Sequence, residues 1–208
     1  MSTRRLTTTS YAVLSLLAIQ PWAVYDLAKL IRRSLHYFWP RAESNLYAEP
    51  KRLVEAGYAE AREEWTGERK RSVYSITESG RKAIGEWLAT PSTGQRLESE
   101  PHLRLLFANY GTKNDLLAVI GRIEADADEV IEHYSALGRE YARGAGLFPE
   151  RIHVNALLAT LSIEQARAAA HWARWARAQV SGWTSTTEPD VEWAAETMLR
   201  SAEPPDRD

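Results

Sequence analysis

Hydrophobic residues in the first part of the chain recur at helical spacing in three short segments. The first, Ser10–Ile19, is strongly apolar and stops before Pro21. The second, Ala23–Leu35, combines core-spaced apolar residues with basic residues on its other face. The third, Glu43–Ala56, is followed by Gly57, the residue type that most readily takes the left-handed conformation that ends a helix. The pattern therefore predicts three helices joined by short links.

A β-hairpin is predicted after these helices. Tyr58–Trp65 is one strand candidate and Ser72–Thr77 is a β-rich return strand, while the turn between them, Thr66–Arg71, contains a glycine. Thr77 is also suited to cap a fourth helix, Glu78–Ala89. Three helices and a hairpin in this order indicate a winged helix-turn-helix, whose third helix is the recognition helix.

The rest of the chain is predicted to be helical. Residues 90–99 are rich in polar and turn-forming types and mark a domain boundary. Two long helices are predicted next, separated by Gly144–Phe148. In each, apolar residues recur at alternating spacings of four and three, and this heptad pattern places them in a seam along one face of the helix. Two helices alone bury little apolar surface, so the seams favour a homodimer over a purely intramolecular hairpin. The residues predicted to dimerise are Leu116, Ile120, Ile123, Val130, Tyr134, Leu158 and Leu161.

The predicted fold class is mainly α with a small β-hairpin. Residues 1–90 are expected to form a winged helix-turn-helix DNA-binding domain, residues 100–183 an α-helical dimerisation domain of long antiparallel helices, and residues 184–208 an acidic, loosely ordered tail. Charge is divided unevenly, because residues 1–90 hold 14 Lys and Arg against 10 Asp and Glu, and residues 91–208 hold 12 against 18. The balances of +4 and −6 indicate that the front half attracts phosphate and the back half has another task.

Composition and motifs exclude several classes of protein. The chain has no cysteine, which excludes disulfides and thiolate metal sites and fits a reducing compartment. No apolar run is long enough to cross a bilayer, and no cleavage site follows the N-terminal arginines, so a soluble cytoplasmic protein is expected. The five histidines lack close metal-ligand spacing, and no phosphate loop or nucleophile motif is present. We therefore expect no enzymatic activity, no metal and no cofactor.

The start of the recognition helix would enter the major groove of duplex DNA, where base edges carry distinguishable donors and acceptors. Arg41 is a candidate partner for guanine, Asn45 for adenine, and Ser44 for a base or a phosphate. For Ser44 the alternative is a helix cap, and for Tyr47 the alternative to a DNA contact is a place in the core.

Basic residues supply the second part of the DNA-binding hypothesis. Arg69, Lys70 and Arg71 are predicted to lie at the tip of the hairpin, where they would bind phosphates and add affinity without sequence choice. Lys51 and Arg52 also suit phosphates. A solvated hairpin and a solubilising surface are the alternatives for these two groups.

A series of short motifs in a specific order resembles the PadR family of bacterial transcriptional regulators, over nearly the whole chain. The motifs are Tyr11–Ala18, Gln20–Leu27, Tyr37–Pro40, Asn45–Tyr47, Lys51–Leu53, Gly57-Tyr58 and Tyr74–Gly80. The resemblance implies a homodimeric repressor of a palindromic operator, released by a small and often aromatic effector. The alternative from another class is a helical protein-interaction module, whose winged domain binds a protein partner instead of DNA.

Three positions depart from the family pattern. Val24 stands where the family usually has glycine, and Ala48 follows Tyr47 where proline is common. The proline is displaced to Pro50, which is expected to kink or shorten the recognition helix because proline lacks an N–H group.

Tryptophan is abundant, with eight residues in the chain. Trp172 and Trp175, on the last long helix, are candidates for an effector site because flat aromatic ligands stack on indole rings. The alternative for both residues is ordinary core packing.

Overall fold

The computed structural model describes residues 6–39, 43–67, 69–94, 97–188 and 190–203. The chain divides into two compact units, Met1–Gln95 and Arg96–Asp208. The predicted fold class, mainly α with a small antiparallel sheet, is confirmed.

The described residues of the first unit form four helices and a small sheet. The helices are α1 (Thr8–Ile19), α2 (Val24–Ser34), α3 (Glu43–Glu55) and α4 (Glu78–Leu88), and the strands are β1 (Trp22–Ala23), β2 (Ala59–Thr66) and β3 (Arg69–Ile76). The antiparallel sheet has the order β1-β3-β2, so β3 lies in the centre. The short strand β1 adds an edge that the hairpin prediction did not include.

Helix α1 is the centre of this unit. Its apolar residues Val13, Leu14 and Leu17 are buried against Leu27 of α2 and Leu53 of α3. Burying large aliphatic side chains from several helices removes much apolar surface from water and stabilises the unit. The apolar spacing in the sequence predicted this arrangement of inward faces.

Local signals end and begin the elements as predicted. Gly57 takes a φ of 77° after α3, and the N–H of Tyr58 donates to the Leu53 carbonyl at 2.9 Å. Thr77 caps α4 by accepting a hydrogen bond from the Gly80 N–H at 3.2 Å. A Cβ at Gly80 would lie 2.3 Å from the Tyr58 carbonyl oxygen, so only glycine fits where α4 passes the sheet.

The described secondary-structure elements of the second unit are all helical. It contains α5 (Glu100–Leu106), α6 (Lys113–Ala142), α7 (Ile152–Ser181) and α8 (Val191–Ala202), with short 3-10 turns at Ala108–Tyr110 and Pro149–Arg151. The two 30-residue helices α6 and α7 pack together along their length. Small residues make this contact close, including Ala127 of α6 and Ala166 and Ala170 of α7.

The C-terminal segment differs from its prediction. Residues 184–208 were expected to be loosely ordered, whereas Val191–Ala202 form α8, capped by the Asp190 carboxylate, which accepts from the Trp193 N–H at 2.9 Å. The acidic composition suggested a tail exposed to solvent, but α8 places the ring of Trp193 against other aromatic side chains. Trp193 stacks with Trp175 at 6.4 Å between ring centroids and meets Trp183 edge-on at 5.6 Å.

Candidate functional site

Helix α3 presents two different faces. Leu46, Pro50 and Leu53 are buried and hold the helix to the core. Tyr47 and Lys51, one turn apart, are exposed on the other face. The alternative of a core position for Tyr47 is therefore wrong, since 41% of the side chain is accessible.

Proline does not end this helix. Pro50 lies inside α3, which continues to Glu55. The predicted shortening is therefore absent, and the proline ring is one of the fully buried side chains of the unit. A buried ring offsets part of the missing N–H bond through apolar contact.

The structure gives little information on the other residues that were predicted to contact bases. Arg41 is outside the described residues. Ser44 and Asn45 belong to the first turn of α3, and their side chains lie outside the described part of the structure. Their contacts with bases therefore stay predictions.

A buried carboxylate on α3 was missed by the sequence analysis. Glu49 is only 7% exposed, and its Oε1 accepts a hydrogen bond from the buried Ser10 hydroxyl of α1 at 2.5 Å. Its Oε2 lies 3.6 Å from Nη1 of Arg52, whose side chain is exposed. The signal was the position of Glu49 on the same helical face as Leu46 and Leu53. This bond ties the candidate reading helix to α1.

The hairpin is longer than predicted, with a shorter turn. Strand β2 runs to Thr66 and β3 begins at Arg69, and Gly67 follows β2 with a φ of 62°. Lys70 pairs with Trp65 and Arg71 with Glu64 in the antiparallel ladder. The basic residues were predicted at the tip, but they belong to β3, because cross-strand pairing continues through them. The side chain of Arg69 lies outside the described part of the structure.

Acidic residues accompany the basic residues of the hairpin. Lys70 forms an ion pair with Glu63 on the neighbouring strand. Arg71 lies 3.4 Å from Glu64 and 3.6 Å from Asp26 of α2. These side chains are all substantially accessible to solvent, so each pair is weak and can exchange partners.

In the second unit, the predicted dimerisation residues divide into two groups. Leu116, Ile120 and Tyr134 of α6 are buried inside the unit, which corrects their assignment to a surface between two copies. Ile123 is partly buried against the cluster that contains Leu116 and Ile120, and Val130 is partly buried against a second cluster around Ala127 and Ala170. The heptad spacing did not distinguish these possibilities, because α7 and α5 cover α6 within one chain.

The α7 seam begins with accessible apolar side chains. Leu158 and Leu161 are exposed, and Ile152, Val154 and Leu157 are exposed beside them. A contiguous stretch of exposed aliphatic residues is costly in water and is typical of a surface that another protein covers.

The two candidate effector tryptophans face a cavity. Trp172 and Trp175 are 37% and 38% exposed, and with Trp183 and Trp193 they line a space of about 340 Å³. Its other described lining residues are aliphatic or neutral polar, and none of them is charged. Such a cavity suits an uncharged planar molecule, because burying an unpaired charge there would be unfavourable.

A larger space of about 720 Å³ lies between α5 and α6. Its lining includes Arg122 and Asp126, which pair with each other at 2.7 Å. Within the described residues, no group of three or more histidines and carboxylates could hold a metal ion. Among the same residues, no helix is both long and apolar enough to span a membrane.

Comparison with known proteins identifies the first unit most clearly. Residues 13–86 match the family model described as the transcriptional regulator PadR-like family. The Negative transcriptional regulator PadR of Bacillus subtilis (strain 168) is 30% identical over 79 residues, which are 38% of this chain and 43% of that relative. The sequence match thus spans less than half of the relative.

Two solved structures of Bacillus subtilis PadR are similar over most of the chain. The complex with operator DNA has a TM-score of 0.69 at 19% identity, and covers 84% of this chain and 99% of that chain. The complex with p-coumaric acid has a TM-score of 0.64 at 19% identity, with the same coverage. At this identity the likeness establishes a shared fold.

Proposed function

We propose that this chain is a PadR-like transcriptional regulator, as the match of residues 13–86 to that family model supports, and that it acts in the cytoplasm as a homodimeric repressor of an inverted-repeat operator. The family consists of transcriptional regulators rather than enzymes. The observation that carries the proposal is the divided surface of α3, buried on one side and polar and accessible on the other.

Helix α3 acts as the reading helix in this proposal. Asn45 contacts adenine and Arg41 contacts guanine, while Ser44 binds a base or a phosphate. Tyr47 lies on the accessible face beside Lys51. Its ring therefore meets the groove wall or a base edge.

Phosphate contacts come from the basic residues around the reading helix. Lys51 and Arg52 at the end of α3 and Arg69, Lys70 and Arg71 of the hairpin neutralise the DNA backbone. They add affinity for all sequences, because every duplex presents the same phosphates.

A second copy of the chain provides the second reading helix. Leu158 and Leu161, which are exposed on α7, form part of the proposed contact between copies. A dimer with two-fold symmetry binds two half-sites about one helical turn apart, which accounts for an inverted repeat.

A small aromatic compound is the proposed effector, bound in the cavity lined by Trp172 and Trp175. The cavity of about 340 Å³ can hold such a molecule, and the related PadR structure contains p-coumaric acid. The compound weakens DNA binding only if it prefers the form of the dimer that binds DNA less well.

The DNA-binding proposal is tested by selecting fragments from random or genomic duplex DNA and mapping the protected region. An inverted repeat is expected, and a region without two-fold symmetry would contradict the dimeric reading mode. Failure to retain any duplex at low salt would favour the protein-interaction alternative.

Base readers and phosphate binders are then separated by substitution. Asn45→Ala is expected to alter the preference among DNA sequences. Lys51→Gln should weaken binding to all duplexes and reduce the salt slope, which is the slope of log affinity against log salt concentration, by about 0.9. Lys82→Gln removes an exposed lysine of α4 that pairs with Glu86 at 3.8 Å, and serves as the charge-matched control. Equal effects of Lys51→Gln and Lys82→Gln would remove Lys51 from the phosphate contacts.

The effector proposal is tested by tryptophan fluorescence in the presence and absence of the selected DNA. A ligand that stacks on the rings quenches the fluorescence, and DNA must weaken ligand binding by the factor by which ligand weakens DNA binding. Normal induction in Trp172→Ala and Trp175→Ala variants would return both residues to a packing role.

A further inference from the structure

The hairpin carries no net charge, although its basic triplet is its most visible sequence feature. Ala59–Ile76 contains four basic side chains and four acidic ones. The acidic residues are Glu60, Glu63, Glu64 and Glu68, and the basic residues are Arg62, Arg69, Lys70 and Arg71. A segment that binds a polyanion would gain affinity if these carboxylates were absent.

Two of the carboxylates are paired with basic residues. Glu63 forms an ion pair with Lys70. Glu64 is shared, because its Oε1 lies 2.8 Å from Arg62 and its Oε2 lies 3.4 Å from Arg71. The ladder register fixes the second contact, since Glu64 and Arg71 are directly opposite on β2 and β3.

We propose that Glu63 and Glu64 compete with DNA phosphates for the basic side chains of the hairpin, and so limit the affinity of the protein for duplex DNA. This inference rests on the proposed DNA-binding function. When a phosphate replaces the carboxylate, the released glutamate takes up a cation from solution. Fewer counterions are then released overall than the number of basic residues implies.

The competition is effective because the pairs are accessible. Glu63 is more exposed than Glu64, and both pairs reach solvent, so neither is held by burial. Pairs of this kind contribute little to folding stability. Their replacement by the uncharged amide of the same shape should therefore leave the fold intact and change only the charge offered to DNA.

The strand also contains its own control. Glu60 lies on β2 and its Oε1 accepts a hydrogen bond from the Ser75 hydroxyl at 3.2 Å. Glu60→Gln removes the same charge from the same strand as Glu64→Gln, without breaking any of the ion pairs described above. If only the total charge of the strand mattered, Glu60→Gln and Glu64→Gln would change DNA affinity equally. Competition for the basic side chains predicts an effect at Glu63 and Glu64 only.

The test measures binding of the full chain to a labelled random-sequence duplex between about 50 and 200 mM salt. The Glu63→Gln, Glu64→Gln double variant is expected to bind about fivefold more tightly at low salt. Its salt slope should steepen by about 0.9 for each basic residue released. Glu60→Gln should change affinity less than about twofold and leave the slope unchanged. Thermal unfolding checks that each variant remains folded.

A second background isolates the mechanism. With Arg62→Gln, Lys70→Gln and Arg71→Gln already present, removal of the two glutamates should no longer steepen the slope, because the basic side chains with which they pair are gone. Equal effects of Glu60→Gln and Glu64→Gln, or a double variant with parental affinity and slope, would overturn the inference while leaving DNA binding intact. A parent protein that binds no duplex at any salt would overturn the proposed function together with this inference.

Discussion

The two units bury different kinds of side chain. In the first unit, Leu14, Leu17 and Leu27 are almost fully buried in a core drawn from several elements. In the second unit, the buried residues of α7 are four alanines and Val180, whereas Leu157 on the same helix is 73% exposed. The core of the first unit is built from large aliphatic side chains, whereas α7 buries mainly small side chains and leaves several of its leucines exposed.

The difference follows from the chemistry of close helix packing. Alanines let α6 and α7 approach along their length, but each alanine removes little apolar surface from water. Large residues of α7 then remain outside the contact, including Leu158 and Leu161. A unit built in this way gains additional stability when another surface covers those residues, which supports the proposed contact between copies through α7.

The largest expected effect comes from breaking the exposed surface of α7. Leu161→Glu places a charge on the proposed contact between copies and should give a folded monomer, as measured by sedimentation and circular dichroism. Operator affinity should fall by about 10²- to 10⁴-fold, because two linked readers bind far more tightly than one. Ala178→Glu, at an exposed position on the same helix, is the control. A dimeric Leu161→Glu protein would move the interface to another surface.

A somewhat smaller effect is expected in the core of the first unit. Leu14→Ala leaves a cavity in the core that α1 shares with α2 and α3, and should lower the free energy of unfolding by about 2 to 5 kcal/mol, as measured by urea denaturation. Leu157→Ala in the Leu161→Glu background should change it by less than about 0.5 kcal/mol, because that side chain is accessible. Equal losses of stability from Leu14→Ala and Leu157→Ala would contradict the difference in burial between the two units.

The stability of the second unit should be sensitive to larger side chains at the alanine positions between α6 and α7. Ala173→Leu, at a fully buried position, is expected to cost about 1 to 3 kcal/mol because α6 cannot move away without losing other contacts. Ala178→Leu adds the same side chain at an exposed position and should be nearly neutral. If Ala173→Leu has no effect in calorimetry, the two helices are less closely packed than described.

The smallest effect is expected at the start of α6. Hydrogen bonds from the Thr112 side chain and backbone lower the pKa of the Asp115 carboxyl, while burial acts slightly in the opposite direction. A lowered pKa in the folded state adds stability above the unfolded pKa, and this stability is lost as the pH falls through the folded pKa. Asp115→Asn should therefore lower the melting temperature slightly at neutral pH and not in strong acid. A difference that persists unchanged in acid would mean that charge has no part in this cap.

Local patterns explain why most elements could be predicted. The described helices of the first unit begin and end within about two residues of their predictions, because caps such as Thr77 and Gly57 act over a single turn. The turn of the hairpin was predicted less well. Polar residues between the strands resembled a loop, but Lys70 and Arg71 find partners on β2 and extend the ladder.

Residue by residue, the candidate site was only partly predictable. The exposed positions of Tyr47 and Lys51 follow from the helical period and the inward leucines. Glu49 was missed because a glutamate is ordinarily placed in solvent, and its partner Ser10 lies 39 residues away in the chain. Trp193 was assigned to a loose tail, although it reaches Trp175 and Trp183.

The sequence by itself determined the order of helices and strands, the faces of the first unit and the family resemblance, because periodicity, capping and motif spacing are properties of near neighbours along the chain. Only the tertiary structure decided which seam residues become internal core and which remain exposed on α7. Heptad spacing marks an apolar face, but it does not say whether the covering helix comes from the same chain or from another copy. The same limit applies to charge, since the basic triplet of β3 is a local fact and its pairing with Glu63 and Glu64 depends on strand register.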